Sequence, residues 1–126
     1  MTLLDERSER NLKGVHKDLD RVVRRAWELA DGEFIVIEGL RTKERQAELV
    51  KKGASRTMNS RHITGHAVDV VATISGEVRW DFPLYTKLSK HFKQAAAELK
   101  IPIVWGGDWR TFKDGPHYEL DRSKYP

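Results

Sequence analysis

Apolar residues recur at intervals of three and four positions in two long stretches of the chain, which is the spacing of a helix with one buried face. The first stretch predicts a helix from about Leu12 to Ala30 that ends at Asp31-Gly32. The second stretch follows the helix-start residues Asp81 and Pro83 and continues to Leu99. Both helices are expected to pack their apolar faces into a core.

Shorter apolar runs, bounded by turn residues, predict strands. They cover residues 33–40, 66–72, 101–105 and 118–120, with a turn at Ser75-Gly76. A short helix is predicted between Thr42, a suitable N-cap, and Gly53. The order α-β-α-β-β-α-β-β predicts an α+β fold. Alternation in the second run places Ala67, Asp69 and Val71 on one face of a strand, where the carboxylate needs a partner.

Length and composition narrow the class of protein further. The chain has 126 residues and no cysteine, so we expect one compact domain without disulfides, thiol nucleophiles or cysteine zinc sites. Any metal must then be held by histidine and carboxylate. No apolar run approaches the roughly 20 residues needed to cross a bilayer, and the first residues lack the apolar segment of a secretion signal. The sequence therefore predicts a soluble protein that is not exported.

Three residues that lie far apart in the sequence have side chains suited to a metal: His62, Asp69 and His117. Two histidines and one acid leave a fourth position for water, as in a catalytic zinc site. Taken singly, each residue is more often an ordinary hydrogen-bonded polar group, so the assignment depends on the residues around them. His66 is not expected to be a ligand, because Gly65 and the strand that follows argue against a helical His-x-x-x-His pair.

The segment from Ser60 to Asp69 matches the pattern SxHxxGxAxD at every fixed position. This pattern resembles that of the zinc peptidase family of D-alanyl-D-alanine carboxypeptidases and phage endolysins, which shares its fold with the signalling domain of hedgehog proteins. The blocks Trp105–Trp109 and Asp114–Glu119 are similar to the family's C-terminal metal motif. The block Gly39–Gln46 is similar to the segment that brings an arginine to the active site.

The resemblance implies a single domain with a small antiparallel sheet packed with helices. It implies a Zn²⁺ site formed by His62, Asp69 and His117, with bacterial peptidoglycan as the substrate. Asp114 would be the acid/base that takes a proton from zinc-activated water. Arg41 would stabilise the oxyanion or grip a substrate carboxylate.

One departure bears on the bond that is cut. The vancomycin-resistance dipeptidases of the family use glutamate as acid/base, whereas Asp114 resembles the phage L-alanyl-D-glutamate endopeptidases. We therefore expect an endolysin that hydrolyses the L-alanyl-D-glutamate bond of the stem peptide; a D-Ala-D-Ala carboxypeptidase is the alternative. Such an enzyme would be a monomer, held in the host cytoplasm and released to the wall by a separate membrane-permeabilising protein.

Further candidate residues surround these positions. Ser60, Trp109 and Glu119 are candidates for contact with substrate. Glu119 alternates onto the same side of the last strand as His117 and is equally a candidate for orienting that ligand. Trp105 and Trp109 either line a groove or belong to the core.

The composition is also compatible with two functions from other classes. The net charge of +4 and the pI of about 9.4 are compatible with nucleic acid as well as with an anionic cell-wall polymer. A metal-dependent nuclease, however, would need a helix-borne metal pair and a basic groove with interleaved aromatic residues, which the sequence lacks. A non-catalytic binding module with structural zinc would have no use for Asp114 and Arg41. No nucleic acid partner and no membrane insertion are therefore expected.

Overall fold

The computed structural model of the chain describes residues 4–55, 57–58, 60–111 and 113–126. The helices in these ranges are α1 (Glu6–Leu12), α2 (Lys17–Leu29), α3 (Lys43–Lys51) and α4 (Phe82–Leu99). The strands are β1 (Phe34–Glu38), β2 (Ala67–Ile74), β3 (Glu77–Arg79), β4 (Ile103–Trp105) and β5 (His117–Leu120). A 3₁₀ turn, Gly106–Asp108, follows β4. Within these ranges, none of the helices combines the length and the apolar character needed to cross a membrane.

The predicted helix from Leu12 to Ala30 is wrong in its first part, because the chain forms two helices there. Leu12 ends α1, and Gly14 leaves the helical path with a φ of +83°. α2 begins after His16, whose Nδ1 accepts a hydrogen bond from the amide of Asp18 at 3.0 Å and so caps the helix. The continuous apolar spacing of the sequence hides this break.

The other two predicted helices are confirmed. Thr42 caps α3 by accepting a hydrogen bond from the amide of Arg45 at 3.0 Å. Asp81 precedes α4, and Pro83 lies in its first turn. The carboxylate of Asp81 does not cap this helix, because it binds Arg79 at 2.7 Å.

The five strands form one antiparallel sheet in the order β1-β2-β5-β4, and β3 pairs with β2 as a hairpin. Pro102 immediately precedes the edge strand β4, where a missing N–H interrupts no ladder. The α+β fold with a small antiparallel sheet is therefore confirmed.

The two faces of the sheet have different environments. One face packs against the helices, and the ring of Phe92 from α4 lies 5.2 Å from that of Phe34 and 3.8 Å from that of Tyr118. Because neighbouring residues of a strand point to opposite faces, Asp69 and His117 project from the other side. The first face builds the core, and the second carries polar groups.

An irregularity in β1 adds an acidic side chain to the polar face. Val36 lies opposite Val70, but the next paired residues are Glu38 and Asp69, so β1 contains one residue more than β2 at this point. Without this bulge, Glu38 would share the core face with Val36. The bulge instead turns Glu38 towards Asp69.

Candidate active site

Strand register brings two of the predicted metal ligands together. Asp69 on β2 lies opposite His117 on β5, and directly opposed residues of an antiparallel pair share a face. His117 Nδ1 is 3.2 Å from Asp69 Oδ1. His62, in the turn before β2, places Nε2 3.3 Å from the same oxygen. One ligand atom from each of the three residues lies within 4.8 Å of the others, so the fold assembles the predicted set.

Local hydrogen bonds fix the orientation of His62. Its backbone amide donates to Ser60 Oγ at 3.2 Å, and its Nδ1–H donates to the carbonyl of Gly39 at 2.9 Å. Gly65 closes the turn with a φ of +76°. His62 Nε2 is buried and has no hydrogen-bond partner among the described residues. An imidazole fixed by a hydrogen bond at one nitrogen, with its other nitrogen facing a carboxylate oxygen but not hydrogen-bonded to it, is the arrangement that a metal ligand needs.

His117 lies between two carboxylates, with Asp69 at Nδ1 and Glu119 Oε1 2.8 Å from Nε2. Burial lowers the pKa of His117, but hydrogen bonds to Asp69 and Glu119 outweigh burial and raise it to about 9. Burial likewise raises the pKa of Asp69, but the imidazoles of His117 and His62 outweigh it and hold that pKa well below its usual range. The cluster therefore stabilises positive charge, and its two imidazoles and one carboxylate fit a zinc ion.

Two arginines hold the far side of Glu119. Arg61 Nε and Arg122 Nε each lie 3.8 Å from Glu119 Oε2. Burial raises the pKa of Glu119, but the hydrogen bond from His117 and the charges of Arg122 and Arg61 outweigh burial and lower it. Glu119 is therefore an ionised, mostly buried carboxylate directed at His117 Nε2.

Asp114 lies in the loop between the 3₁₀ turn and β5. Its amide donates to the carbonyl of Gly106 at 3.0 Å, and its own carbonyl accepts from the amide of His117 at 3.1 Å. A Cβ at Gly106 would press on the Asp114 carbonyl and lie 3.1 Å from Cβ of His117, so this close approach requires glycine. Burial, together with the negative charge of Asp69, raises the pKa of the Asp114 carboxyl.

Arg41 follows β1, and its guanidinium is buried. Its Nε donates to Glu38 Oε1 at 2.8 Å and its Nη1 to Gln46 Oε1 at 2.7 Å. Its Nη2 lies 3.5 Å from Asp69 Oδ2, the oxygen that does not face the histidines. Gln46 in turn donates to Ser55 Oγ at 2.8 Å. The guanidinium is thus held by three protein acceptors and supports the carboxylate of Asp69.

These groups line one cleft with a volume of about 390 Å³. It contains all of the predicted catalytic, metal and substrate residues: Arg41, Ser60, His62, Asp69, Trp109, Asp114, His117 and Glu119. The ring of Trp109 lies 5.1 Å from that of His117. Trp105, by contrast, is buried in the core. The sequence left two positions open for the tryptophans, a groove or the core. Trp109 lines the cleft and Trp105 belongs to the core.

His66 lies apart from the metal cluster. Its Nδ1 is hydrogen-bonded to Thr64 Oγ1 at 2.7 Å, and its ring lies 5.4 Å from that of His16. The cluster of metal-ligand atoms found in the described part of the chain does not include it.

Several residues of the cleft were missed by sequence reasoning. Glu38 reaches the cleft only because of the bulge in β1, and the spacing of apolar residues in the sequence does not indicate that bulge. The sequence indicates the burial of Gln46 only weakly. Gln46 is polar, but it shares the inward-facing spacing of a short helix with Leu49. Arg61 and Arg122 lie in turns, where the sequence does not indicate the direction of a side chain.

Comparison with known proteins places these residues in a family. The family model described as phage L-alanyl-D-glutamate peptidase matches residues 2–125. The L-alanyl-D-glutamate peptidase of Escherichia phage T5 is 36% identical over 122 residues, which cover 94% of this chain and 88% of that protein. The peptidoglycan L-alanyl-D-glutamate endopeptidase CwlK of Bacillus subtilis is 29% identical over 101 residues, which cover 70% of this chain and 60% of CwlK.

A solved structure agrees over almost the whole fold. The crystal structure of the Serratia marcescens L-Ala D-Glu endopeptidase ChiX superposes with a TM-score of 0.89 at 48% identity, covering 96% of this chain and 91% of ChiX. The chain belongs to the phage L-alanyl-D-glutamate peptidase family.

Proposed function

We propose that this chain is a zinc-dependent endolysin that hydrolyses the L-alanyl-D-glutamate bond in the stem peptides of bacterial peptidoglycan. The observation that carries the proposal is the convergence of the His62, Asp69 and His117 cluster with Asp114 and Arg41 in one cleft. The names of the relatives support the bond, because the T5 protein, CwlK and ChiX are all L-alanyl-D-glutamate peptidases.

His62 Nε2, Asp69 Oδ1 and His117 Nδ1 would hold the zinc ion, because these atoms face one another. When bound, the ion supplies a Lewis acid that polarises the scissile carbonyl and lowers the pKa of water. Glu119 orients His117 through Nε2, as the Gly39 carbonyl orients His62 through Nδ1. This assigns Glu119 to positioning a ligand rather than to touching substrate.

Asp114 is the acid/base of the proposed reaction. Burial raises the pKa of its carboxyl, which makes the carboxylate a stronger base and moves its pKa towards the neutral range in which acid/base groups work best. The carboxylate takes a proton from the attacking water and delivers it to the amine of D-glutamate as the peptide bond breaks. A non-catalytic zinc domain has no need of such a group, so Asp114 favours a hydrolase.

Arg41 stabilises the negative charge that develops on the scissile carbonyl oxygen. Hydrogen bonds to Glu38 and Gln46 fix its guanidinium before substrate arrives, and preorganised donors stabilise a transition state more than mobile donors do. Its contact with Asp69 also keeps that ligand in place.

Ser60 and Trp109 contact the peptide in this proposal. The oxygen of Ser60 already accepts the amide of His62, which leaves its hydroxyl proton to donate to a substrate carbonyl. Trp109 provides an apolar wall beside His117.

Mass spectrometry of fragments released from purified peptidoglycan tests the proposed reaction. Hydrolysis should create new N-terminal D-glutamate, stop when a chelator removes the metal and resume when zinc is restored. Release of free D-alanine without new D-glutamate termini would instead establish the carboxypeptidase alternative. Binding to the wall without any released fragment would favour the non-catalytic zinc domain.

A further inference from the structure

The cleft contains an exposed guanidinium that the proposed chemistry does not use. The side chain of Arg122, in the turn after β5, is 65% exposed, whereas those of Arg41 and Arg61 are 7% and 9% exposed. Arg122 lines the same cleft as the metal cluster. Its Nε lies 3.8 Å from Glu119, whose other oxygen contacts His117. One carboxylate therefore separates this exposed cation from a proposed metal ligand.

The other two arginines of the cleft are already bound to the protein. Arg41 contacts Glu38, Gln46 and Asp69. The Nη2 of Arg61 donates to the carbonyl of Leu120 at 3.2 Å and to that of Tyr125. These contacts hold both guanidinium groups in fixed positions in the protein.

Arg122, in contrast, donates no hydrogen bond of acceptable geometry to any described residue. Its long contact with Glu119 is made through Nε, which leaves the two terminal nitrogens for a ligand. A guanidinium with both terminal nitrogens available suits the planar oxygens of a carboxylate.

The substrate of the proposed reaction brings such a carboxylate to the cleft. Glutamate has two carboxyl groups, and a stem peptide continues through only one of them. The other is therefore free, only a few bonds from the nitrogen of the L-alanyl-D-glutamate bond, so it enters the same cleft when that bond reaches the metal cluster.

Most of the charged side chains of the cleft are already paired with one another. Four carboxylates line the cleft against three guanidinium groups: Glu38, Asp69, Asp114 and Glu119 against Arg41, Arg61 and Arg122. A substrate carboxylate is held in one orientation only where it meets a cation whose donors are not already taken by protein acceptors. Among the arginines that line the described cleft, Arg122 is the one whose terminal nitrogens form no hydrogen bond with a described residue.

We propose that Arg122 binds the free carboxylate of D-glutamate and makes the enzyme selective for stem peptides in which that carboxyl is not amidated. This inference rests on the proposed function and names a feature of its substrate. The sequence offered Arg41 both for stabilising the oxyanion and for binding a substrate carboxylate. In this proposal Arg41 stabilises the oxyanion, and Arg122 binds the substrate carboxylate.

Two synthetic stem peptides test the inference, identical except that the free carboxyl of D-glutamate is intact in one and a primary amide in the other. A charge-assisted pair predicts that the wild-type chain cleaves the acid with a kcat/KM about 10- to 100-fold higher than the amide. Arg122→Gln should bring this ratio close to one by raising KM for the acid alone, because the carboxylate is bound in both ground and transition states. Arg122→Lys should keep part of the preference.

Arg79→Gln is the matched control, because Arg79 lies on β3, pairs with Asp81 and does not line the cleft. It should retain the wild-type ratio. Equal cleavage of both peptides by the wild-type chain, or an unchanged preference in Arg122→Gln, would overturn the inference and leave the proposed function standing. Failure of the wild-type chain to cleave either peptide would overturn both.

Discussion

The two aspartates of the cleft differ in the state of their carboxyl groups. Burial raises the pKa of Asp69, yet the neighbouring imidazoles outweigh burial and hold it well below its usual range, so Asp69 stays ionised, as a proposed metal ligand must. Burial and the charge of Asp69 raise the pKa of Asp114, so Asp114 is better able to carry a proton. Environments that push the pKa values of two acids apart identify the acid/base of a site.

Asp114→Asn should reduce kcat by about 100- to 10,000-fold while zinc stays bound, because the nearly isosteric amide cannot accept the proton of water. Turnover of an L-alanyl-D-glutamate peptide and metal analysis of the same sample measure the two effects. Asp108→Asn is the control, since Asp108 pairs with Lys93 outside the cleft. Near wild-type turnover in Asp114→Asn would move the role to another carboxylate, with Glu119 the first to examine.

Arg41→Lys should lower kcat by roughly 100-fold, the cost typical of removing one donor to an oxyanion. Lysine keeps the charge but loses the fork that joins Gln46 and Asp69. Arg45→Lys provides the comparison, because Arg45 is exposed on α3 and lies outside the cleft lining. If kinetics on the stem peptide are the same for both variants, Arg41 does not act on the reacting bond.

Glu119→Ala should weaken zinc binding by about 10- to 100-fold, because His117 loses the carboxylate that holds its Nε2. Glu119→Gln should lose less, since it keeps an oxygen that can accept from the imidazole. Competition with a chelator of known affinity measures both values without reference to turnover. A raised KM with unchanged zinc affinity would show instead that Glu119 contacts substrate.

At the level of elements, one turn joins the start of α2 to the site. The carbonyl of Gly65 accepts a hydrogen bond from the amide of His16, the N-cap of α2, at 2.8 Å. The same turn contains His62 and leads into β2. A change in its backbone therefore affects helix packing and metal binding together.

Gly65→Ala should destabilise the fold by roughly 1–3 kcal/mol, because a side chain is strained at its φ of +76°. The new Cβ would also lie 2.5 Å from the carbonyl oxygen of Gly14. Gly76→Ala separates the two causes, since Gly76 has a φ of +82° and no neighbouring atom within 4 Å of a built Cβ. Thermal unfolding should show the larger loss for Gly65→Ala, and equal losses would assign the effect to φ alone.

The elements with a complete local signal could be predicted from the sequence. Thr42 and Gly53 marked both ends of α3, and the fixed spacing of Ser60 to Asp69 pointed to His62 and Asp69, which the fold brings together with His117. The break before α2 could not be found, because Leu12 and Leu19 continue one apolar periodicity across it. The spacing of apolar residues reports burial, but it does not report where the backbone changes direction.

The candidate site was predictable only where its residues belong to a motif. Glu38 reaches the cleft through one extra residue in β1, and Arg122 reaches it from a turn. Both placements depend on how strands pair in the folded sheet, so neither is encoded in local spacing. Gln46 was predictable in part. Helical spacing suggested its burial, but nothing in the sequence indicated its hydrogen bond with Arg41.

In the whole molecule, the sheet separates the hydrophobic core from the cleft. α2 and α4 cover one face, where Phe34, Phe92 and Tyr118 pack together. The opposite face holds charged groups that repel or attract one another strongly at short range. Folding therefore brings His62, Asp69 and His117 together from two strands and a turn, and a metal ion can bind all three only in the folded chain.

Zinc should accordingly raise the unfolding temperature of the metal-free protein. At a free zinc concentration one hundred times its Kd, binding to the folded state alone contributes about 2.7 kcal/mol, which corresponds to a rise of roughly 5–20 °C for a domain of this size. Thermal unfolding with and without zinc measures the shift. Asp114→Asn should keep it, because Asp114 is not a proposed ligand, whereas His117→Ala should lose most of it. An equal shift in His117→Ala and the wild-type chain would place the ion at other residues.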